Sequence, residues 1–396
     1  MKRTSGFVAV LIVLFSVIFT VGSIAAQRGQ GQRGEGQRGG ERGNQPARPP
    51  MDSTPKNFDT RDYKIRVVTV TEGLKYPYSF LFLPDGSILV NELEGRMRLI
   101  RDGKLDPQPI SGVPEVHYAA GRGGLMDIIL HPKFAQNHLV YFTYDKPGEK
   151  GTTQAVARGE LKGNQLTNVK DIFVAEAWGK AEGHLSARIN FGHDGMLYMA
   201  ISDHNMPEGV AKGDSHAGKV VRMSEDGTLP AKGPIAGYRP EIFATGFRDP
   251  HSIVPIPGSD DFWEVEHGDE LNRVTAGGNY GWPFVSTGEG NPIGAPPAGL
   301  KLTEPFVKQW PVFHFSGLLI YSGNKFPKWK DNVFIGCLQT EEIHRVVIGK
   351  DGATFREPLF KMLGQQVRDV RQGPDGYIYF TTNDAMGRVM RVEPAN

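Results

Sequence analysis

From about residue 64 onward no apolar pattern at helical spacing is sustained; short alternating runs rich in β-branched and aromatic residues recur behind turn residues instead. The clearest phrase is an Asp-Gly turn followed by a strand that ends in a polar residue. It occurs as Asp85-Gly86 before "SILVNE", Asp194-Gly195 before "MLYMAISD" and Asp375-Gly376 before "YIYFTTND". Weaker copies follow Asn137 ("HLVYFTYD"), Asp261 ("FWEVEHGDE") and Asn332 ("VFIGCLQTEE"). A second phrase, a turn and a strand with Arg near its end, appears as "GRMRLI", "GKVVRM", "IHRVVI" and "GRVMRV".

The six copies are spaced by about 58 residues on average, room for a four-stranded sheet with its loops. The pattern predicts an all-β fold: a six-bladed β-propeller of four-stranded antiparallel sheets over residues 61–396. "KIRVVTVTE" (64–72) is expected to complete the sheet that holds the two C-terminal phrases. Ligand sites in propellers lie on the axis, so the polar residues that end the repeat phrase are the first candidates.

Composition agrees with this reading. Glycine accounts for 50 of the 396 residues, which favours many tight turns over helices. The single Cys337 excludes an intramolecular disulfide and any CxxC motif, and "NVFIGCL" places it in a buried strand. Charge is unevenly spread, with seven basic and two acidic residues in the first 50 positions and a slight acidic excess afterwards, so no basic field remains for nucleic acid.

Lys2 and Arg3 precede an apolar run from Phe7 to Val21, and the small Ser23 and Ala25 follow it. Residues 1–26 read as a signal peptide, with an uncleaved membrane anchor as the alternative. Residues 27–60, rich in Gly, Arg and Gln, read as a disordered linker. The expected location is periplasmic or secreted.

Several segments carry candidate chemistry. His184 and Arg188 occupy a polar loop before a strand, where His184 is open between a general base and a histidine bonded to a neighbour. Arg248 and Asp249 precede Pro250, and Arg248 suits either a carboxylate ligand or an ion pair. "EVEHGDE" packs Glu266, His267, Asp269 and Glu270 together, a set open between a hard-cation site and a solvated acidic loop; Asp214 and His216 share that ambiguity. Arg122 lies beside glycines that would let backbone approach a ligand, and "VRDVRQ" presents Arg368 and Arg371. Trp263, Trp282, Trp310 and Trp329 are open between sugar stacking and blade core. There is no phosphate loop, no G-x-S-x-G elbow and no H-E-x-x-H helix.

Taken in order, "FLPDGSILVNE", "GRGGLMDIILHPKF", "GHLSARINFGHDG", "GKVVRMSEDGTLP", "GFRDPHS", "EHGDELNRVTAGGNYGWP" and "VRDVRQGPDGYIY" resemble the glucose/sorbosone dehydrogenase family of soluble quinoprotein sugar dehydrogenases. The resemblance implies a sugar (aldose) hydroxyl as substrate, pyrroloquinoline quinone (PQQ) as hydride acceptor, calcium, and an external electron acceptor. It implies that His184 is the catalytic base. It places Arg122, Arg248, Asp249, His267, Gln339, Gln366 and Arg368 at the cofactor, and Gly268 and Asp269 at the metal.

The chain departs from the family pattern at several of these positions. Arg122 replaces a glutamine, Gly183 an acidic residue, Asp249 an asparagine, Gln366 an arginine and Gln339 a lysine, while the insertion that holds calcium is absent between Gly268 and Asp269. Gln339 and Gln366 together remove two positive charges that would face a tricarboxylate. Two other readings therefore stay open: a cofactor-less secreted propeller that binds a glycan or a protein, and a metal-assisted lactone or ester hydrolase using Glu266, Asp269 or Asp203.

Overall fold

The computed structural model describes residues 52–395 apart from 120–121, 181–182, 268–269, 287–289, 308–309, 311–313, 351 and 362. The signal peptide and most of the linker lie outside the described residues. So do Gly268 and Asp269.

Six antiparallel sheets follow one another along the chain as the blades of a propeller. Their inner strands are Pro77–Phe82, Leu125–Leu130, Ala187–Phe191, Pro250–Pro255, Phe315–Ile320 and Val367–Gln372, in blades 1 to 6. Each inner strand touches the next and the last touches the first, so the ring closes. The repeat phrase forms the second strand of every blade: Ile88–Glu92, Leu139–Gly148, Leu197–Ile201, Phe262–Glu266, Val333–Cys337 and Ile378–Thr382. The Arg-bearing phrase forms third strands, among them Arg96–Arg101 and Lys219–Met223.

The Asp-Gly turn works through two contacts. The Asp carboxylate accepts the backbone N–H two residues on, from Ser87, Met196 and Tyr377 at 2.9–3.1 Å, while Gly86, Gly195 and Gly376 take φ near +80°. In two copies the free carboxylate oxygen also accepts a tyrosine hydroxyl, Tyr198 on Asp194 and Tyr379 on Asp375.

Two blades vary the four-stranded plan. Blade 4 has three strands among the described residues, and a single antiparallel bridge from Leu271 to Val307 stands at its outer edge. Blade 6 closes the ring as expected, with Lys64–Leu74 pairing antiparallel to Gly387–Pro394. A further edge strand, Lys56–Asp59, pairs with Lys64–Leu74. The linker expected to run to residue 60 therefore gives way to ordered sheet at Lys56.

Apolar side chains fill the seams between blades. Tyr198, Val220, Phe243, Ile253 and Phe262 pack between blades 3 and 4; Trp263, Val265, Phe315 and Ile335 fill the next seam; Tyr321, Phe334, Val370 and Phe380 fill the one after it. Trp263, Trp310 and Trp329 are thus core, and Cys337 is buried at the end of its strand.

The axis itself is polar. Arg188, expected in a loop, is the second residue of an inner strand and is buried. Its guanidinium reaches Asp127 at 3.3 Å, Asp369 at 3.4 Å and the Arg368 carbonyl at 3.3 Å. Arg371 bonds the same two carboxylates at 2.8 Å, and Ser79 donates to Asp127 at 2.7 Å. Burial alone would raise the Asp127 pKa, but Arg188 and Arg371 hold it below the ordinary value. Gly317 permits this packing, since a Cβ there would stand 2.5 Å from Asp369 Oδ1.

Replacing Arg188 with Met leaves two buried carboxylates sharing Arg371 alone. Unfolding free energy is expected to fall by about 3–5 kcal/mol in urea denaturation, and a change under about 1 kcal/mol would show that the lattice carries little stability.

Candidate active site

The candidate residues gather at the end of the propeller where the inner strands begin and the second strands finish. His184 lies just before Ala187–Phe191, Arg248 and Asp249 just before Pro250–Pro255, and Gln366 just before Val367–Gln372. Asp203 and His267 follow second strands, at the positions where the repeat phrase turns polar. At the opposite end the inner strands run into a cavity of about 320 Å³ lined by Asn190, Val254, Ile320 and Gln372.

His184 is held by a carboxylate. Its Nδ1 lies 2.8 Å from Asp203 Oδ1, and the Trp282 indole N–H donates to Asp203 Oδ2 at 2.9 Å. The Asp203 backbone N–H donates to the Arg248 carbonyl at 2.7 Å, tying this unit to the neighbouring blade. With Nδ1 engaged, Nε2 is the nitrogen left to accept a proton. Burial lowers the pKa of this imidazole, yet the Asp249 charge and the Asp203 hydrogen bond outweigh burial and set it above the ordinary histidine value. Asp203 and Trp282 thus hold the His184 ring; in the sequence Asp203 shows as the polar end of a repeat phrase and as a metal ligand of the hydrolase reading, not as a partner of His184.

Asp249 is buried and hydrogen-bonded on both oxygens. Ser186 Oγ donates to Oδ1 at 2.6 Å, while His251 Nε2 and His267 Nδ1 stand 3.1 and 3.2 Å from Oδ2. The His251 and His267 rings stack with centroids 3.9 Å apart, and His314 stacks on His267 at 4.8 Å.

Arg248 lies over the Trp282 ring at 5.6 Å, its backbone N–H donating to Glu266 Oε2 at 2.8 Å. Arg368, in the blade opposite His184, lies over Tyr78 at 5.0 Å and donates to Asn383 Oδ1 at 3.2–3.3 Å. Asn383 in turn donates to Gln366 Oε1 at 2.8 Å. Gln339 is exposed.

Behind Arg248 lies a set of buried carboxylates. Asn272 Nδ2 donates to Glu264 at 2.9 Å and to Glu270 at 3.1 Å. Burial, then Glu270, drives Glu264 well above the ordinary range; burial, then Glu270 and Glu264, does the same for Glu266. Neither Glu264 nor Glu266 has a basic partner among the described residues. Glu264 Oε1 and Asn272 Oδ1 are buried without a hydrogen bond.

Other candidates have different employment. His216 is a buried link between Glu241 and the Glu176 N–H. Arg371 belongs to the axial lattice. The Arg122 side chain lies outside the described residues; of its glycines, Gly124 is needed by packing, since a Cβ there would overlap the Leu93 carbonyl. Gly183 takes φ +126°, and any side chain on it would overlap the Asn205 amide. An acidic residue here would be strained at this φ and would require the Asn205 side chain to move.

Residues 74–391 match the family model of glucose / sorbosone dehydrogenase. The aldose sugar dehydrogenase YliI of Escherichia coli strain K12 is 32% identical over 354 residues, 84% of this chain and 94% of that protein. A solved glucose dehydrogenase superposes with a TM-score of 0.77 at 34% identity, over 83% of this chain and 99% of its own. The PQQ-bound aldose sugar dehydrogenase of Streptomyces coelicolor shares the fold at 22% identity, with a TM-score of 0.68 over 87% of this chain and 100% of its own. The match takes in strands from all six blades and the loops that carry the histidine–aspartate pair, and on that extent the chain belongs to the glucose/sorbosone dehydrogenase family.

Proposed function

We propose that this protein is an exported sugar dehydrogenase in which His184 takes the proton from a sugar hydroxyl. The observation that carries the reading is the His184–Asp203–Trp282 chain: a carboxylate fixed from behind orients the ring, selects its tautomer and leaves Nε2 as the base. When bound, PQQ supplies the hydride acceptor and calcium polarises its carbonyl. Export rests on the leader sequence, and an external acceptor would reoxidise the cofactor.

The residues present suit such a cofactor in kind. Arg248 and Arg368 offer guanidinium forks, each braced on an aromatic ring. Thr340 Oγ1, beside Gln339, is a buried hydroxyl without a partner. Gln366 and Gln339 add no charge, and Asp249 adds a negative one. The buried oxygens of Glu264 and Asn272, with Glu266 and Glu270, form a hard donor set suited to calcium.

The test is reconstitution of the purified protein with PQQ and Ca²⁺, followed by dye reduction with aldoses. Turnover is expected, with His184→Ala lowering kcat by about 100-fold or more; absence of both cofactor binding and turnover rejects the reading. Each charge-assisted bond carries about 1.5–3 kcal/mol, so Gln366→Arg is expected to tighten quinone binding at least about tenfold in a fluorescence titration.

The pH dependence follows from the sign of the His184 shift. The base works only when neutral, so kcat/KM falls as pH drops through a pKa above 6.5. Asp203→Asn removes a charge that favours the protonated ring, and the acid limb moves to lower pH. NMR titration of the imidazole in the cofactor-free protein reads the same shift directly.

A further inference from the structure

The antiparallel pairing at the start of blade 4 brings three metal-ligating groups together at one spot. Asp249 and His251 are two residues apart on the chain, and the His267 N–H donates to the Asp249 carbonyl, so His267 is the cross-strand neighbour of Asp249. Pro250 pairs with Glu266 and Ser252 with Val265, which leaves His251 as the extra residue of a bulge. Bulges of this kind re-aim a side chain beside functional sites.

The result is compact. One nitrogen of each imidazole and one carboxylate oxygen all lie within 4.8 Å of one another, with His251 Nε2 and His267 Nδ1 at 3.1 and 3.2 Å from Asp249 Oδ2. Metal–ligand bonds of about 2.0–2.1 Å in tetrahedral geometry put neighbouring ligand atoms about 3.3 Å apart. Asp249 and His251 are buried and the His267 side chain is 12% exposed. Ser186 fixes the other carboxylate oxygen at 2.6 Å, which leaves Oδ2 for the two imidazoles.

We propose that Asp249, His251 and His267 form a binding site for a divalent first-row transition ion of the zinc class. Two imidazoles and one carboxylate are a borderline donor set, suited to zinc, nickel or copper and unlike the all-oxygen shell that calcium takes. The site is separate from the Glu264 and Asn272 oxygens, and it stands whether or not the protein oxidises sugars. An ion here turns a lone negative carboxylate beside Arg248 into a net positive centre. That positive centre, and not the bare carboxylate, would then attract an anionic ligand at this end of the propeller.

The experiment uses the full chain, stripped with a chelator and dialysed against zinc, with metal content measured by mass spectrometry and affinity by calorimetry. One zinc per chain is expected. His251→Ala and His267→Ala should each weaken binding by more than about 100-fold, beyond the effect of losing an outer-shell partner, while His193→Ala, at an exposed position, leaves zinc affinity unchanged. Substitution with Co²⁺ gives a second readout on the unaltered chain: visible ligand-field bands of a nitrogen-ligated ion support the site even where a histidine variant fails to fold. No stoichiometric zinc, zinc retained by the His251→Ala/His267→Ala double variant, or cobalt spectra of a hydrated ion would each overturn the proposal.

Discussion

The propeller is organised by four charges on its axis. Asp127 is reached from blade 1 by Ser79, from blade 3 by Arg188 and the Ile189 N–H, and from blade 6 by Arg371. Asp369 is reached from blade 3 by Arg188 and from blade 1 by the Phe80 N–H. No apolar side chain could bind sheets at such different angles through directed contacts. Ionic lattices of this kind contribute less net stability than a greasy core of equal volume, but they fix the position of every partner. Here they fix the starts of the inner strands, where His184, Arg248 and Arg368 stand.

Apolar burial supplies the complementary constraint. Each cluster draws on more than one blade, as Ile253 and Phe262 of blade 4 do with Tyr198 and Phe243 of blade 3. A blade has no sufficient core alone, so the ring gains its stability as a whole. This coupling explains how groups contributed by segments nearly two hundred residues apart, such as His184 and Arg368, share one end of the molecule.

Much of the fold was legible because its signals are local. The Asp-Gly turn advertises itself through glycine at positive φ and a carboxylate that bonds the next-but-one N–H, and all six second strands fall where the phrase occurs. The outer edge of blade 4 was not legible, since there a lone bridge from Leu271 to Val307 replaces a periodic run. At the site, His184 and Arg248 stood out by motif. His251 did not, and Asp203 and Trp282 were named for other parts, because their arrangement depends on a bulge, a cross-blade bond and an indole N–H. Arg188 was misplaced for a similar reason: a charged residue beside a polar loop reads as exposed until a pair of buried carboxylates is known to await it. Asn205 over Gly183 is likewise a relation between two loop residues that neither position signals by itself.

The seam in blade 6 has a consequence for biosynthesis. Val67 pairs with Val392, so the Lys64–Leu74 strand leaves the ribosome about 325 residues before its neighbour. At ordinary elongation rates of about 5–20 residues per second, this edge waits roughly 15–65 s for its partner. Until the final strand arrives the nascent chain is an open arc with unpaired N–H and C=O groups at both ends, the form of the molecule that a chaperone would need to shield.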